Sequence, residues 1–178
     1  MAHETTGTSR RGFLKAATVA IGGAIGAVFA IPVIRYVLYP LGRRIVTSAS
    51  DPVDVGPADQ VKPGGPPVRV SIVAPSVRDG WTVRRDVALG AAWLVRDADG
   101  TLRALSTVCP HLGCAVDYDA DAGRFACPCH ASSFARDGGR LGGPAKRGLD
   151  PLPVEEADGR VRVAFRRYRS DTPDREEV

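Results

Sequence analysis

The sequence of 178 residues lacks several features that would identify common protein classes. It has no internal repeat, which excludes solenoid and propeller architectures. It has neither a glycine-rich phosphate loop nor a nucleophile elbow, which argues against nucleotide hydrolases and serine hydrolases. Beyond residue 50 neither charge sign is in clear excess, with 18 basic and 19 acidic residues. We therefore expect no nucleic-acid partner.

Residues with reactive or metal-binding side chains are also scarce, since the chain has only four cysteines and three histidines. Hydrophobic residues make up 44%, and there are 20 glycines and 14 prolines. This composition is typical of a loop-rich globular protein. The length allows one domain of roughly 100 to 150 residues and an appendage.

The appendage is the N-terminal segment. Ser9–Lys15 reads Ser-Arg-Arg-Gly-Phe-Leu-Lys, and the uncharged apolar run Ala16–Ile34 follows it. This run is long enough for a membrane-spanning helix of about 20 residues. The alternative is a signal peptide cleaved after Ala30. Because the apolar character continues to Leu41, we expect the segment to be retained as an anchor.

Ser9–Lys15 closely resembles a twin-arginine export signal. That resemblance implies export of a folded protein that acquires a cofactor in the cytoplasm. We therefore expect a cytoplasmic tail over 1–15 and a single transmembrane anchor over 16–41. The remainder would lie on the periplasmic or outer side of a bacterial inner membrane.

The rest of the chain predicts a linker and one β domain. Segment 42–67 is rich in Pro, Gly, Ser and Asp, and predicts a flexible hinge. The domain is expected over 68–170, with a polar tail over 171–178. Alternation over 68–74 is typical of a strand. Hairpins are predicted around three turn sequences: Asp97–Gly100, Asp119–Gly123 and Ala157–Gly159.

All four cysteines and two of the three histidines lie in two short loops between predicted strands, Cys109–Cys114 and Cys127–His130. Thiolates and imidazoles at such spacing are typical metal ligands. The alternatives are a structural zinc site with two cysteines and two histidines, or two disulfides in an exported domain. Zinc would leave two cysteines without a role, and two disulfides would leave both histidines without one.

The spacing C-x-H followed by C-x-x-H resembles the Rieske iron–sulfur proteins, and the second cysteine in each loop resembles their cytochrome bc subgroup. The resemblance implies an all-β Rieske-type domain, with antiparallel sheets and a cluster-binding subdomain, plus the transmembrane helix. It implies one [2Fe-2S] cluster per chain. Cys109 and Cys127 would bind one iron, and His111 and His130 would bind the other.

The same resemblance assigns roles to residues around these ligands. Cys114 and Cys129 would form a disulfide that clamps the two loops. The hydroxyl of Ser132 would bind a cluster sulfide, and Gly142–Ala145 resembles the proline-containing loop that covers the cluster. Phe134 departs from the pattern, because subgroup members of high potential have a tyrosine there that donates to a ligand thiolate. We expect a lower potential for this chain.

The function implied is that of a redox subunit of a quinol–cytochrome-c reductase, with cytochrome b and a c-type cytochrome as partners. His130 is expected to be the catalytic imidazole that accepts a hydrogen bond from quinol, with His111 as the second candidate. Electron and proton would leave quinol together, and the electron would pass to a c-type haem. The substrate would be menaquinol or ubiquinol, and a lower potential suits menaquinol.

Two other functions remain open. The chain could be the small Rieske subunit of a molybdenum oxidoreductase such as arsenite oxidase, which is also exported by the twin-arginine route. It could also be the ferredoxin component of a Rieske oxygenase. That component should lack both the export signal and the second cysteine pair, so the sequence argues against it.

Overall fold

The computed structural model describes residues 9–41, 51–78 and 81–178, in two compact units: an N-terminal helical unit and a β domain. Two parts of the sequence prediction lie outside the described residues. These are the start of the cytoplasmic tail, residues 1–8, and the hinge over 42–50. Each unit is described separately below.

The N-terminal unit contains helix α1, Arg10–Leu38. Ser9 caps the helix, since its hydroxyl accepts a hydrogen bond from the Gly12 N–H at 3.2 Å. The helix has 29 residues, a mean hydropathy of 2.2 in its most apolar 18-residue window, and no buried residue. By length and composition it can cross a membrane. It includes residues 10–15, which the sequence assigns to the cytoplasmic tail.

The β domain contains eleven strands and one 3-10 turn, Ala58–Gln60, among the residues that the structure describes. The strands are β1 Val53–Pro57, β2 Val68–Arg78, β3 Val83–Arg96, β4 Leu102–Ser106, β5 Asp117–Asp119, β6 Arg124–Ala126, β7 Ser133–Phe134, β8 Arg140–Gly142, β9 Pro151–Leu152, β10 Val154–Ala157 and β11 Arg160–Val163.

These strands form three antiparallel sheets. One sheet has the order β1-β11-β10, the second β2-β3-β4-β9, and the third β5-β6-β7-β8. All three predicted hairpins form, as β3-β4, β5-β6 and β10-β11. In the last, Asp158 and Gly159 have φ angles of 53° and 71°, the left-handed pair that a two-residue hairpin turn requires. The predicted all-β, antiparallel class is confirmed.

The predicted linker over 42–67 is wrong in its second half. Val53–Pro57 forms β1 and pairs with β11, and Val53 and Val61 are buried in the domain core. The surrounding Pro, Gly and Asp residues disguise this strand, because only every second residue of a short edge strand faces the core. Segment 53–57 becomes a strand because it pairs with β11, which lies more than 100 residues later in the chain.

The domain has two hydrophobic cores, one in a base and one beneath a smaller subdomain. The base core includes Val70, Ile72 and Leu94, and lies with the first two sheets. The second core joins Trp93, Val95 and Leu105 of the base to residues of the third sheet and its loops. Those residues are Cys109, Val116, Phe125, Cys127, Phe134, Ala145 and Leu149. The cysteine-containing loops are thus anchored on a packed apolar layer.

Candidate metal centre

The first cysteine-containing loop follows β4 and folds back on itself. The Cys109 N–H donates to the Cys114 carbonyl at 2.8 Å, and the Gly113 N–H donates to the Cys109 carbonyl at 2.9 Å. An isolated bridge between Val108 and Ala115 closes the base of the loop. Cys109 is buried, and a buried backbone donor such as its N–H needs an acceptor. These hydrogen bonds place Cys109 inside the domain and Cys114 toward its surface.

The second loop connects β6 to β7 and reverses within four residues. The Cys127 N–H donates to the Ser132 carbonyl at 2.8 Å, which closes the turn. Ala131 adopts a φ of 56°, a left-handed conformation that costs a non-glycine residue about 1 kcal/mol or more. The reversal leaves Cys127 buried while His130 remains exposed.

A disulfide joins the two loops. Cys114 and Cys129 are bonded, with their Cα atoms 6.6 Å apart, while Cys109 and Cys127 remain free thiols. This is the pairing that the sequence resemblance implied. A bond between the outer cysteines holds the loops together and leaves the inner pair available as ligands.

The two free thiols are adjacent and almost fully buried, Cys109 with 0% and Cys127 with 3% of its surface exposed. Burial raises the pKa of the Cys109 thiol, and its contact with Cys127 raises it further. The backbone N–H of His111 and the hydroxyl of Ser132 act in the opposite sense and lower the pKa of the Cys109 thiol. Two sulfurs held together in this way suit binding as thiolates to one cation.

The two histidines meet at the outer end of the loops. The ring centroids of His111 and His130 lie 4.9 Å apart, with the rings nearly perpendicular. His111 is half-buried and His130 is exposed. The sequence-predicted residues are thus brought together as a buried pair of thiols and an accessible pair of imidazoles.

A different sulfur grouping is also close in space. The Sγ atoms of Cys114, Cys127 and Cys129 lie within 4.8 Å of one another. With Cys114 and Cys129 joined in a disulfide, Cys127 is the only thiol of this trio. The inner thiols and the two imidazoles are therefore the better donor set. Two thiolates and two imidazoles suit a [2Fe-2S] cluster with mixed ligation.

A third loop, residues 143–145 directly after β8, packs against the second. Gly143 has a φ of 87°, and a Cβ atom there would lie 2.4 Å from the Cα of Ser132. The Ala145 N–H donates to the Ser132 hydroxyl at 3.2 Å, and Ser132 itself is buried. The predicted position of Ser132 beside the ligands thus results from two loops in contact.

Arg140 and Arg147 were not anticipated from the sequence. Arg140 spans the third loop, with Nη2 donating to the Gly143 carbonyl at 2.6 Å and Nε to the Ala145 carbonyl at 2.5 Å. Arg147 is buried in an ion pair with Asp150. No spacing rule distinguishes these two arginines from the others, because backbone carbonyls, which every residue has, are among the partners of both.

Known proteins match most of the chain. A family model described as Rieske [2Fe-2S] domain matches residues 51–153. The menaquinol:cytochrome c reductase iron–sulfur subunit of Geobacillus thermodenitrificans is 32% identical over 157 residues, covering 86% of this chain and 89% of that protein. The cytochrome b6-f complex iron–sulfur subunit of Chlorobaculum tepidum is 32% identical over 161 residues, covering 88% of this chain and 75% of that protein.

Among solved structures, a naphthalene 1,2-dioxygenase variant superposes with a TM-score of 0.50 at 18% identity, covering 68% of this chain and 27% of that chain. This likeness concerns the fold alone. The family match spans more than half of the sequence, and the two relatives span most of it. The chain belongs to the Rieske [2Fe-2S] domain family.

Proposed function

We propose that the chain is the electron-transfer subunit of a quinol:cytochrome c reductase, with one [2Fe-2S] cluster held by Cys109 and Cys127 on one iron and His111 and His130 on the other. The observation that carries the proposal is the pairing of two buried free thiols with two accessible imidazoles. The menaquinol:cytochrome c reductase and cytochrome b6-f subunits named above support the assignment to such a complex.

Each protein group has a defined task in this proposal. The cluster, when bound, supplies a one-electron acceptor. The buried thiols bind as thiolates, and the Ser132 hydroxyl donates a hydrogen bond that stabilises negative charge beside them. The exposed His130 imidazole would accept a hydrogen bond from the quinol hydroxyl, and then its proton, at the ring nitrogen that does not bind iron, which must carry no proton before this step. His111, which is half-buried, is the second candidate for that contact.

The partners follow from the same proposal. Cytochrome b would form the quinol pocket around His130, and a c-type haem would receive the electron. The domain would move between them on the hinge, whose predicted span now shortens to 42–52 because β1 begins at Val53. Menaquinol is the proposed substrate class, in keeping with the expected low potential.

Purification of the complex from membranes tests this function. We expect b-type and c-type haem to co-purify with the subunit, and quinol-dependent reduction of cytochrome c to be lost in a His130→Ala variant. The reduced membranes should show a Rieske electron paramagnetic resonance (EPR) signal that changes with quinol-site inhibitors. Co-purification of a molybdopterin instead of the haems would contradict the proposal and identify the molybdenum oxidoreductase.

We also propose that the domain is exported by the twin-arginine route to the outer face of the inner membrane. The motif Ser9–Lys15 and the apolar helix α1 support this. So does the disulfide, because such bonds persist in oxidising compartments.

Replacing both Arg10 and Arg11 by lysine is expected to keep the domain in the cytoplasm, since the charge is retained but the export motif is lost. Protease protection of spheroplasts and the redox state of Cys114 measure the outcome. The variant should be protected and reduced, while a Lys15→Arg control should be exported and oxidised. An accessible, oxidised double variant would contradict this route.

Substitution of Phe134 tests the expectation that the cluster has a low midpoint potential. The side chain is fully buried, in the same core as Cys109 and Cys127. A Phe134→Tyr variant is expected to raise the midpoint potential, by roughly 40 mV per kcal/mol of hydrogen bonding gained by the reduced state. Redox titration measures the shift. Phe125→Tyr, equally buried in this core, is the control and should leave the potential unchanged.

A further inference from the structure

The last residues of the chain, Arg167–Val178, lie beyond residue 153, where the family match ends. The sequence predicted a polar tail over 171–178, but the structure ties this segment to the domain. The Arg169 N–H donates to the Glu176 carbonyl at 2.8 Å, and the Val178 N–H donates to the Arg167 carbonyl at 3.0 Å. Tyr168 and Glu177 form an isolated antiparallel bridge. The segment is therefore a closed loop with its own backbone hydrogen bonds, which we call the C-terminal clasp.

The clasp contacts the first ligand loop directly. The backbone N–H of Asp171 donates to the Pro110 carbonyl at 2.9 Å. Pro110 is fully buried and lies between Cys109 and His111. Asp171 has a φ of 58°, so the chain turns sharply where it presents this donor. The hydrogen bond thus holds the peptide group between Pro110 and His111, one of the two that separate the buried Cys109 thiol from the His111 imidazole.

The clasp is also tied to the chain that follows the third loop. The Lys146 ammonium donates to the Asp171 carbonyl at 2.9 Å and pairs with its carboxylate at 3.1 Å. The Arg147 guanidinium donates to the carbonyls of Thr172 at 2.7 Å and Arg169 at 2.9 Å. Lys146 and Arg147 directly follow Ala145, whose N–H binds Ser132. The clasp therefore connects the first and third loops.

Arg147 is the centre of this connection. Its side chain is only 5% exposed and forms two hydrogen bonds to the Asp150 carboxylate, both at 2.8 Å. Asp150 raises the pKa of Arg147, so the guanidinium remains charged and keeps its donors. A planar guanidinium can bind a carboxylate on one side and carbonyls on the other, which the point charge of a lysine cannot do.

We propose that the C-terminal clasp positions the first ligand loop through Pro110, with Arg147 as its positioning residue. The inference rests on the proposed function for the identity of the ligands Cys109 and His111. It predicts that the clasp controls local opening at the Cys109 and Gly113 amides of the first loop, whereas the turn of the second loop is closed by its own Cys127 to Ser132 hydrogen bond.

Amide hydrogen exchange of the full-length subunit, with its cluster, tests the clasp. The key variant ends at Ser170 and so lacks Asp171 and Thr172. Loss of one hydrogen bond to the loop is expected to speed exchange of the Cys109 and Gly113 amides roughly tenfold. The Cys127 amide should exchange at the wild-type rate. Equal acceleration of both loops, or of neither, would overturn the proposal, because a general loss of stability does not select one loop.

Two point variants keep the test independent of truncation. Arg147→Lys retains the charge but loses the planar fork, and is expected to speed exchange at Gly113 by several-fold. Lys146→Met should do so more weakly, whereas Lys62→Met, another exposed lysine, should have no effect. Faster release of iron to a chelator should accompany the faster exchange. Absence of a Rieske EPR signal from the wild-type subunit would instead refute the proposed ligands, without reference to the clasp.

Discussion

A Cys109→Ser variant is expected to lose its iron almost completely, by at least about tenfold in iron per chain, together with the Rieske EPR signal. The physical reason is the site of Cys109, which is fully buried next to Cys127. A serine hydroxyl there is far less acidic than a thiol and does not provide the soft, charged ligand that an iron–sulfur cluster needs. Iron analysis and EPR of the purified full-length subunit measure both outcomes.

The matched control replaces both disulfide cysteines, Cys114 and Cys129, by serine. These residues are 15 positions apart, and a disulfide closing such a loop contributes about 3 kcal/mol of stability in the chain-entropy account. The control should bind iron but lose it faster on warming. If the Cys109 variant kept its iron and the control did not, the metal would belong to the sulfur trio that includes Cys127, and the proposed ligand set would be wrong.

The part of the fold that the sequence predicts is the part governed by local rules. The hairpin β10-β11 could be predicted because Asp158 and Gly159 favour the left-handed turn wherever they occur between apolar strands. Strand β1 could not be predicted, because it forms only by pairing with β11 at the other end of the domain sequence. Its five residues include Gly56 and Pro57, which locally favour a loop.

The candidate site divides in the same way. Cys109, His111, Cys127 and His130 are recognisable because metal ligands must be of particular residue types at short spacings. Arg147 is not recognisable, because its Asp150 partner is one nearby carboxylate among many in the sequence and its other partners are carbonyls on a segment more than 20 residues away. Every residue has a backbone carbonyl, so only the folded structure shows which arginine donates hydrogen bonds to particular carbonyls.

A Gly143→Ala variant is expected to lower the stability of the domain strongly, because the new methyl group would clash with backbone atoms of the second loop. A Cβ atom at Gly143 would lie 2.4 Å from the Cα of Ser132 and 2.8 Å from the Ala131 carbonyl oxygen, and the φ of 87° is unfavourable for alanine. Both contacts are with backbone, which cannot rotate away. We expect a cost of about 3 kcal/mol or more and a fall in Tm of roughly 6 to 12 °C.

Gly100→Ala is the control that separates backbone strain from this contact. Gly100 has a nearly equal φ of 92°, but a Cβ atom there would meet nothing within 4 Å. Its cost should be about 1 kcal/mol, from conformation alone. Thermal denaturation and redox titration of both variants give the comparison. Because Ser132 lies under Gly143, only Gly143→Ala should also shift the midpoint potential. Equal losses of stability and unchanged potentials in both variants would show that the third loop does not set the position of Ser132.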